Sequence, residues 1–106
     1  MSSKEFQEVL RDKINLETAR IAWRELQRFF ASGAAIQVSN ELDLVEVAFE
    51  ISEDNRPRVT QWLAEGKINK VADAQALAWY EADAEVWAVV VSPYVLVQEA
   101  DNVLHR

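Results

Sequence analysis

The chain has 106 residues, no cysteine, a single histidine and a formal net charge of −7. That length makes one domain able to bury a core without staples, and the absence of thiols excludes disulfides, thiolate metal sites and cysteine nucleophiles. Half of the residues are hydrophobic, and Gly and Pro number only two each, as in an ordered globular domain; no apolar run approaches the ~20 residues of a membrane helix.

Ser2-x-x-Glu5 opens a first helix as a capping box, and Phe6, Val9, Leu10 and Ile14 follow at helical spacing to about Lys13. Asn15 to Gly33, NLETARIAWRELQRFFASG, reads as one long amphipathic helix capped by Asn15 and stopped by Gly33. On it Leu16, Ala19, Ala22, Trp23, Leu26, Phe29 and Phe30 form a core-facing stripe. Arg20, Arg24 and Arg28 line the opposite side, and Ile21 sits among them. An apolar residue inside an arginine row points to a second contact.

Ala34 to Ser39 alternates as a short strand. Leu42 to Ser52 fits either a strand or a helix; Asp43-x-x-Glu46 decides for a helix that ends in the Ser-Glu-Asp-Asn run. Pro57 starts a further helix with Val59, Trp62 and Leu63, and Gly66 stops it. Lys67 to Val71 is a short strand, and Asp73 caps a helix running to about Glu85. The unbroken run Val86 to Val91 predicts a strand buried on both faces, broken at Ser92-Pro93 and resumed from Tyr94 to Gln98. The expected fold is α+β: one domain over residues 1–106, with four to five helices on a small, mainly antiparallel sheet.

Charge is unevenly placed. Residues 1–30 hold six Lys/Arg against five Asp/Glu, residues 31–71 four against seven, and residues 72–106 one against six. The acidic last third repels phosphate backbones. It also weakens a helix-turn-helix reading of Asp43–Ser52 and Pro57–Glu65, where Arg56 and Arg58 alone flank the second helix. The sole histidine, His105, is penultimate, so no catalytic triad is expected, and the two glycines are too far apart for a phosphate loop. Asp73, Glu81, Asp83 and Glu85 lack calcium-loop spacing and read as a solvated face, so neither metal nor cofactor is expected. Of four tryptophans, Trp23 and Trp62 fit core stripes; Trp79, beside Tyr80, and Trp87 are open to a pocket or interface.

Read in order, NLETARIAWRELQRFFASG, LDLVEVA at Leu42–Ala48, the Trp-Leu helix and WAVVVSPYVLVQE at Trp87–Glu99 resemble the bacterial domain-of-unknown-function family 2288 over about residues 13–99. The family pattern often has Pro before the first Trp, where this chain has Ala22. The resemblance implies a small bacterial protein with no assigned activity, cofactor or substrate, and it carries over no catalytic residue.

The expected function is a non-enzymatic interaction module, partnered by a second copy or another protein. Its candidate surface comprises Arg20, Ile21, Arg24 and Arg28, with Trp79 and Trp87. The alternative is a small-ligand or anion-binding protein, with or without modest enzymatic activity, whose pocket sets Arg20 or Arg24 beside Trp79 or Trp87. MSSKEFQEVL has no apolar secretory segment, so the expected setting is the cytoplasm, with no membrane or nucleic-acid partner.

Overall fold

The computed structural model describes residues 2–100; His105 lies outside them. In chain order the elements are α1 (Ser3–Glu17), β1 (Ala19–Ala22), a 3₁₀ turn (Trp23–Leu26), α2 (Gln27–Ala31), β2 (Ala35–Val38), α3 (Leu44–Ser52), α4 (Arg56–Ala64), β3 (Ile68–Lys70), α5 (Asp73–Glu81), β4 (Glu85–Val91) and β5 (Tyr94–Glu99). The strands form one sheet in the order β1-β4-β5-β2-β3, antiparallel throughout except for the parallel pair β2 and β5. The fold is α+β with a mainly antiparallel sheet, as the sequence predicts.

Strand alternation divides the core in two. Val38, Ile68, Val89 and Leu96 on one face pack against Ile14 of α1, Val47 and Phe49 of α3 and Trp62 of α4. Ala35, Val86, Ala88, Val95 and Val97 on the other meet Trp23, Leu26, Ala76 and Trp79. Covering both faces lets β4 consist of a nearly unbroken apolar run.

The caps explain most helix ends. Ser2 Oγ accepts from Glu5 N at 3.1 Å while Glu5 Oε1 accepts from Ser2 N at 3.2 Å. The backbone N–H of Ser2, followed by its hydroxyl, holds the Glu5 carboxyl below its ordinary pKa. Asp43 Oδ1 accepts from Val45 N and Glu46 N, but Glu46 does not complete the box. Its carboxylate instead accepts from Arg11 Nε at 3.1 Å and Nη2 at 3.3 Å, tying α1 to α3, and the Arg11 guanidinium lies 4.0 Å over the Phe49 ring. Asn55 Oδ1 caps α4 through Arg58 N.

α1 runs to Glu17, beyond the Lys13 expected, and α5 starts at Asp73 as its first helical residue but ends at Glu81. The larger correction concerns Asn15–Gly33, which is no single helix. It holds the last turn of α1, strand β1, the 3₁₀ turn and the short α2. Thr18 makes the break: its hydroxyl donates to Ile14 O at 2.8 Å and its N–H to Asn15 O at 3.2 Å, so helical pairing ends there. Ala19–Ala22 then pairs with β4, a tertiary ladder that outweighs local helix propensity.

Two helix ends use the left-handed conformation without glycine. Gly33 (φ +79°) and Gly66 (φ +71°) terminate α2 and α4, whereas Asp54 (φ +56°) and Asp83 (φ +51°) follow α3 and α5. Asp54 side-chain contact is confined to an exposed pair with Arg56 at 3.3 Å, which contributes little. Asp54→Gly is therefore expected to raise stability by about 1 kcal/mol by relieving the cost of the Cβ, measured as a denaturation midpoint moving upward at unchanged slope.

Candidate functional site

The break in the long segment redistributes the six candidate residues. Arg20 and Ile21 are neighbours on β1 and so point to opposite sheet faces. Arg24 lies in the 3₁₀ turn and Arg28 in α2, so no continuous arginine row exists.

On one face Arg20 stands opposite Trp87 of β4, its guanidinium carbon 5.8 Å from the ring centroid, and Arg20 Nη2 is 3.1 Å from Glu85 Oε1. Trp87 is 38% exposed. Arg24, exposed, is engaged by its own fold: Nε and Nη2 both donate to Tyr80 O, at 3.1 and 2.9 Å, and the guanidinium lies 4.5 Å from the Tyr80 ring centroid. Asp83 Oδ1 is 3.7 Å from Arg24 Nε. The fork thereby caps the C-terminus of α5, a favourable place for a cation. Arg28 lies over Phe29, 5.2 Å from the centroid. Trp79 is buried edge-on against Trp23 at 5.1 Å. Trp79 and Trp87 thus belong to opposite sides of the sheet, and of the six candidate residues only Arg20 and Trp87 meet as an arginine–tryptophan pair.

Ile21 opens onto the other face, where a cleft of about 310 Å³ is lined by Ala19, Ile21, Leu26, Phe29, Val90 and Val95 among others. Its rim carries Glu17 and Glu25, and its floor is almost wholly apolar. Val90, 61% exposed on an inner strand, sits here because β1 begins only opposite Ala88 and leaves Val89 to Val91 of β4 unpaired on that side. Sequence reasoning missed Val90, since an apolar residue in a buried-strand pattern carries no sign of exposure. It missed the outer stripe of α1 as well: Phe6, Val9 and Leu16 are exposed, Leu16 to 84%.

Elsewhere several charged groups pair within the chain. Glu50 Oε2 accepts from Arg58 Nη1 at 3.2 Å and Oε1 from Asn55 Nδ2 at 3.1 Å. Arg56 pairs with Asp54, so both arginines beside the second helix of the α3–α4 pair already have acidic neighbours. Among the described residues no three His, Cys, Asp or Glu side chains gather as a metal would need, and no helix is long and apolar enough to cross a membrane.

The structure defines a small α+β domain whose sheet lies between two helical layers, with an apolar cleft beside one edge strand. The chain belongs to the family described as Protein of unknown function (DUF2288), which it matches over residues 9–99. It is similar to a protein of Pseudomonas aeruginosa described as "NMR solution structure of PA1075", with 44% identity and a TM-score of 0.77 over 96% of this chain and 94% of that one. No curated protein matches it.

Proposed function

We propose that the protein is a non-enzymatic interaction module, working in the cytoplasm, whose partner is a second copy of itself. The cleft beside β1 carries this reading. Val90, exposed beside the partly buried Ile21 and Phe29, leaves an apolar cleft facing water next to a sheet edge, an arrangement that association relieves and that solubility alone does not explain. A chain without cysteine is compatible with a reducing compartment. The anion-binding alternative has less support, because the guanidinium of Arg20 meets Glu85 and that of Arg24 is engaged by Tyr80 O and Asp83.

Sedimentation equilibrium across a concentration series tests the proposal. The wild-type chain is expected to be dimeric at tens of micromolar, and Val90→Glu to weaken association by about tenfold or more, since a carboxylate is desolvated at the contact. A wild-type mass that stays monomeric over that range overturns the reading.

A further inference from the structure

We propose that β1 pairs antiparallel with β1 of a second copy in one defined register, with Ile21 on the twofold axis, joining two five-stranded sheets into one continuous sheet. This rests on the self-association reading and names its geometry. The main-chain pattern shows which groups are free to pair. Trp23 N donates to Ala84 O at 2.9 Å, so residues 21 and 19 of β1, two and four positions earlier, turn their N–H and C=O toward β4. Arg20 and Ala22 therefore direct theirs outward, away from the sheet.

Among the described residues β1 and β3 are the two edge strands, and they are not equivalent. β3 is three residues long and carries Lys70, with Lys67 just before it, the kind of charge that discourages pairing. β1 carries one charge, Arg20, and Glu85 already balances it at 3.1 Å. Its neighbours Ala19, Ile21 and Ala22 oppose nothing to a second strand.

Among twofold registers, centring on Arg20 sets two arginines directly opposite, which is unfavourable. Centring on Ala22 draws the 3₁₀ residues Trp23 and Arg24 into the ladder, where the backbone is not extended. Centring on Ile21 sets Arg20 against the second copy's Ala22 in both directions, giving about four main-chain hydrogen bonds. It also brings the two Ile21 side chains together on the cleft face, so that the two apolar clefts become continuous. On the opposite face the order across the strands becomes Trp87, Arg20, the second copy's Ala22 and then its Glu85, because Ala22 stands opposite Glu85 in the β1–β4 ladder. Alanine is small enough for Arg20 to reach across it, over two strand spacings of about 5 Å each, to a second carboxylate. Two arginines and two glutamates then form a balanced cluster. A twofold operation supplies each contact twice.

Because the chain has no cysteine, position 21 can be probed with a single thiol. Ile21→Cys places two thiols in a directly opposed, non-hydrogen-bonded pair, with Cα atoms about 4.5 Å apart, inside the range for a disulfide. Mild oxidation is expected to yield mainly covalent dimer, at least about tenfold faster than for Arg20→Cys or Ala22→Cys, whose thiols do not face each other in this register. The second variant is Ala22→Pro. Ala22 has φ −64° and ψ +130°, a conformation proline adopts, and its N–H is not used within the monomer ladder. The substitution should leave the fold's circular dichroism intact and weaken dimerisation roughly tenfold to a hundredfold by removing one donor per copy. A wild-type dimer that crosslinks no faster through position 21 than through the two controls, and that is indifferent to Ala22→Pro, overturns the β1 register while leaving self-association standing. A monomeric wild type overturns both.

Discussion

Trp23→Ala is expected to destabilise the domain by about 4 kcal/mol, the range for truncating a fully enclosed indole. Trp23 is 0% exposed, packs edge-on to Trp79 at 5.1 Å and to Phe30 at 5.8 Å, and donates Nε1–H to Ala76 O at 3.0 Å. It therefore ties the 3₁₀ turn and the adjoining α2 to α5, which is distant in sequence. Trp23→Phe separates packing from hydrogen bonding. It retains most of the aromatic contact and loses the donor, while Ala76 O, on a helix, keeps a second lone pair for its own helical bond. Its cost should thus be nearer 2 kcal/mol, set by lost volume and one hydrogen bond. Thermal denaturation followed by circular dichroism checks both: at roughly 5 °C per kcal/mol, the alanine variant melts about 20 °C lower and the phenylalanine variant about 10 °C lower. Equal shifts for the two would mean that the hydrogen bond, rather than the enclosed ring, dominates.

Trp23 also shows why part of the fold is legible in the sequence and part is not. Its burial follows from the apolar stripe, and so does that of Leu26, yet the element carrying them is a 3₁₀ turn reached through a strand. A 3.6-residue period and the order strand then 3₁₀ turn can place the same few apolar side chains inward over so short a span. The deciding facts lie elsewhere: the Thr18 hydroxyl closing on Ile14 O, and the β4 edge that accepts Ala19–Ala22. Leu16 records the misfit, because the stripe needs it inside and the structure leaves it in water. Helices α3 and α4 are readable because their signals are local, with Asp43 capping the first and Pro57 and Gly66 bounding the second. In the candidate site, Ile21 stands out in the sequence as an apolar residue among arginines, and it lines the cleft through strand alternation rather than from a helix face. Arg24, expected on the same surface, donates to the end of α5, a partner that only tertiary structure brings near. Gln98 gave no signal at all, although its Nε2 donates to both Ser39 O and Leu42 O and fixes the turn before α3.

Arg58→Ala is expected to cost about 2 kcal/mol and to cost more than Glu50→Gln at the other end of the same pair. Glu50 is the buried partner, its side chain 11% exposed, whereas that of Arg58 is 47% exposed. Deleting the arginine leaves a desolvated carboxylate with Asn55 Nδ2 as its remaining side-chain donor, and removes the guanidinium that lies 5.0 Å from the Trp62 ring centroid. Breaking a fully buried pair costs roughly 3–5 kcal/mol, and the half-solvated position of Arg58 lowers that figure here. Neutralising Glu50 instead removes the charge that required compensation, frees Arg58 into water, and leaves an amide carbonyl still able to accept from Asn55; its cost should be under about 1 kcal/mol. The double variant settles the mechanism. If the penalty of Arg58→Ala is an uncompensated anion between α3 and α4, adding Glu50→Gln restores part of the lost stability, and urea denaturation of the four proteins gives a coupling of about 1 kcal/mol. Strictly additive losses would assign the effect of Arg58 to its packing over Trp62, and the Glu50 carboxylate would then be a passenger at the turn.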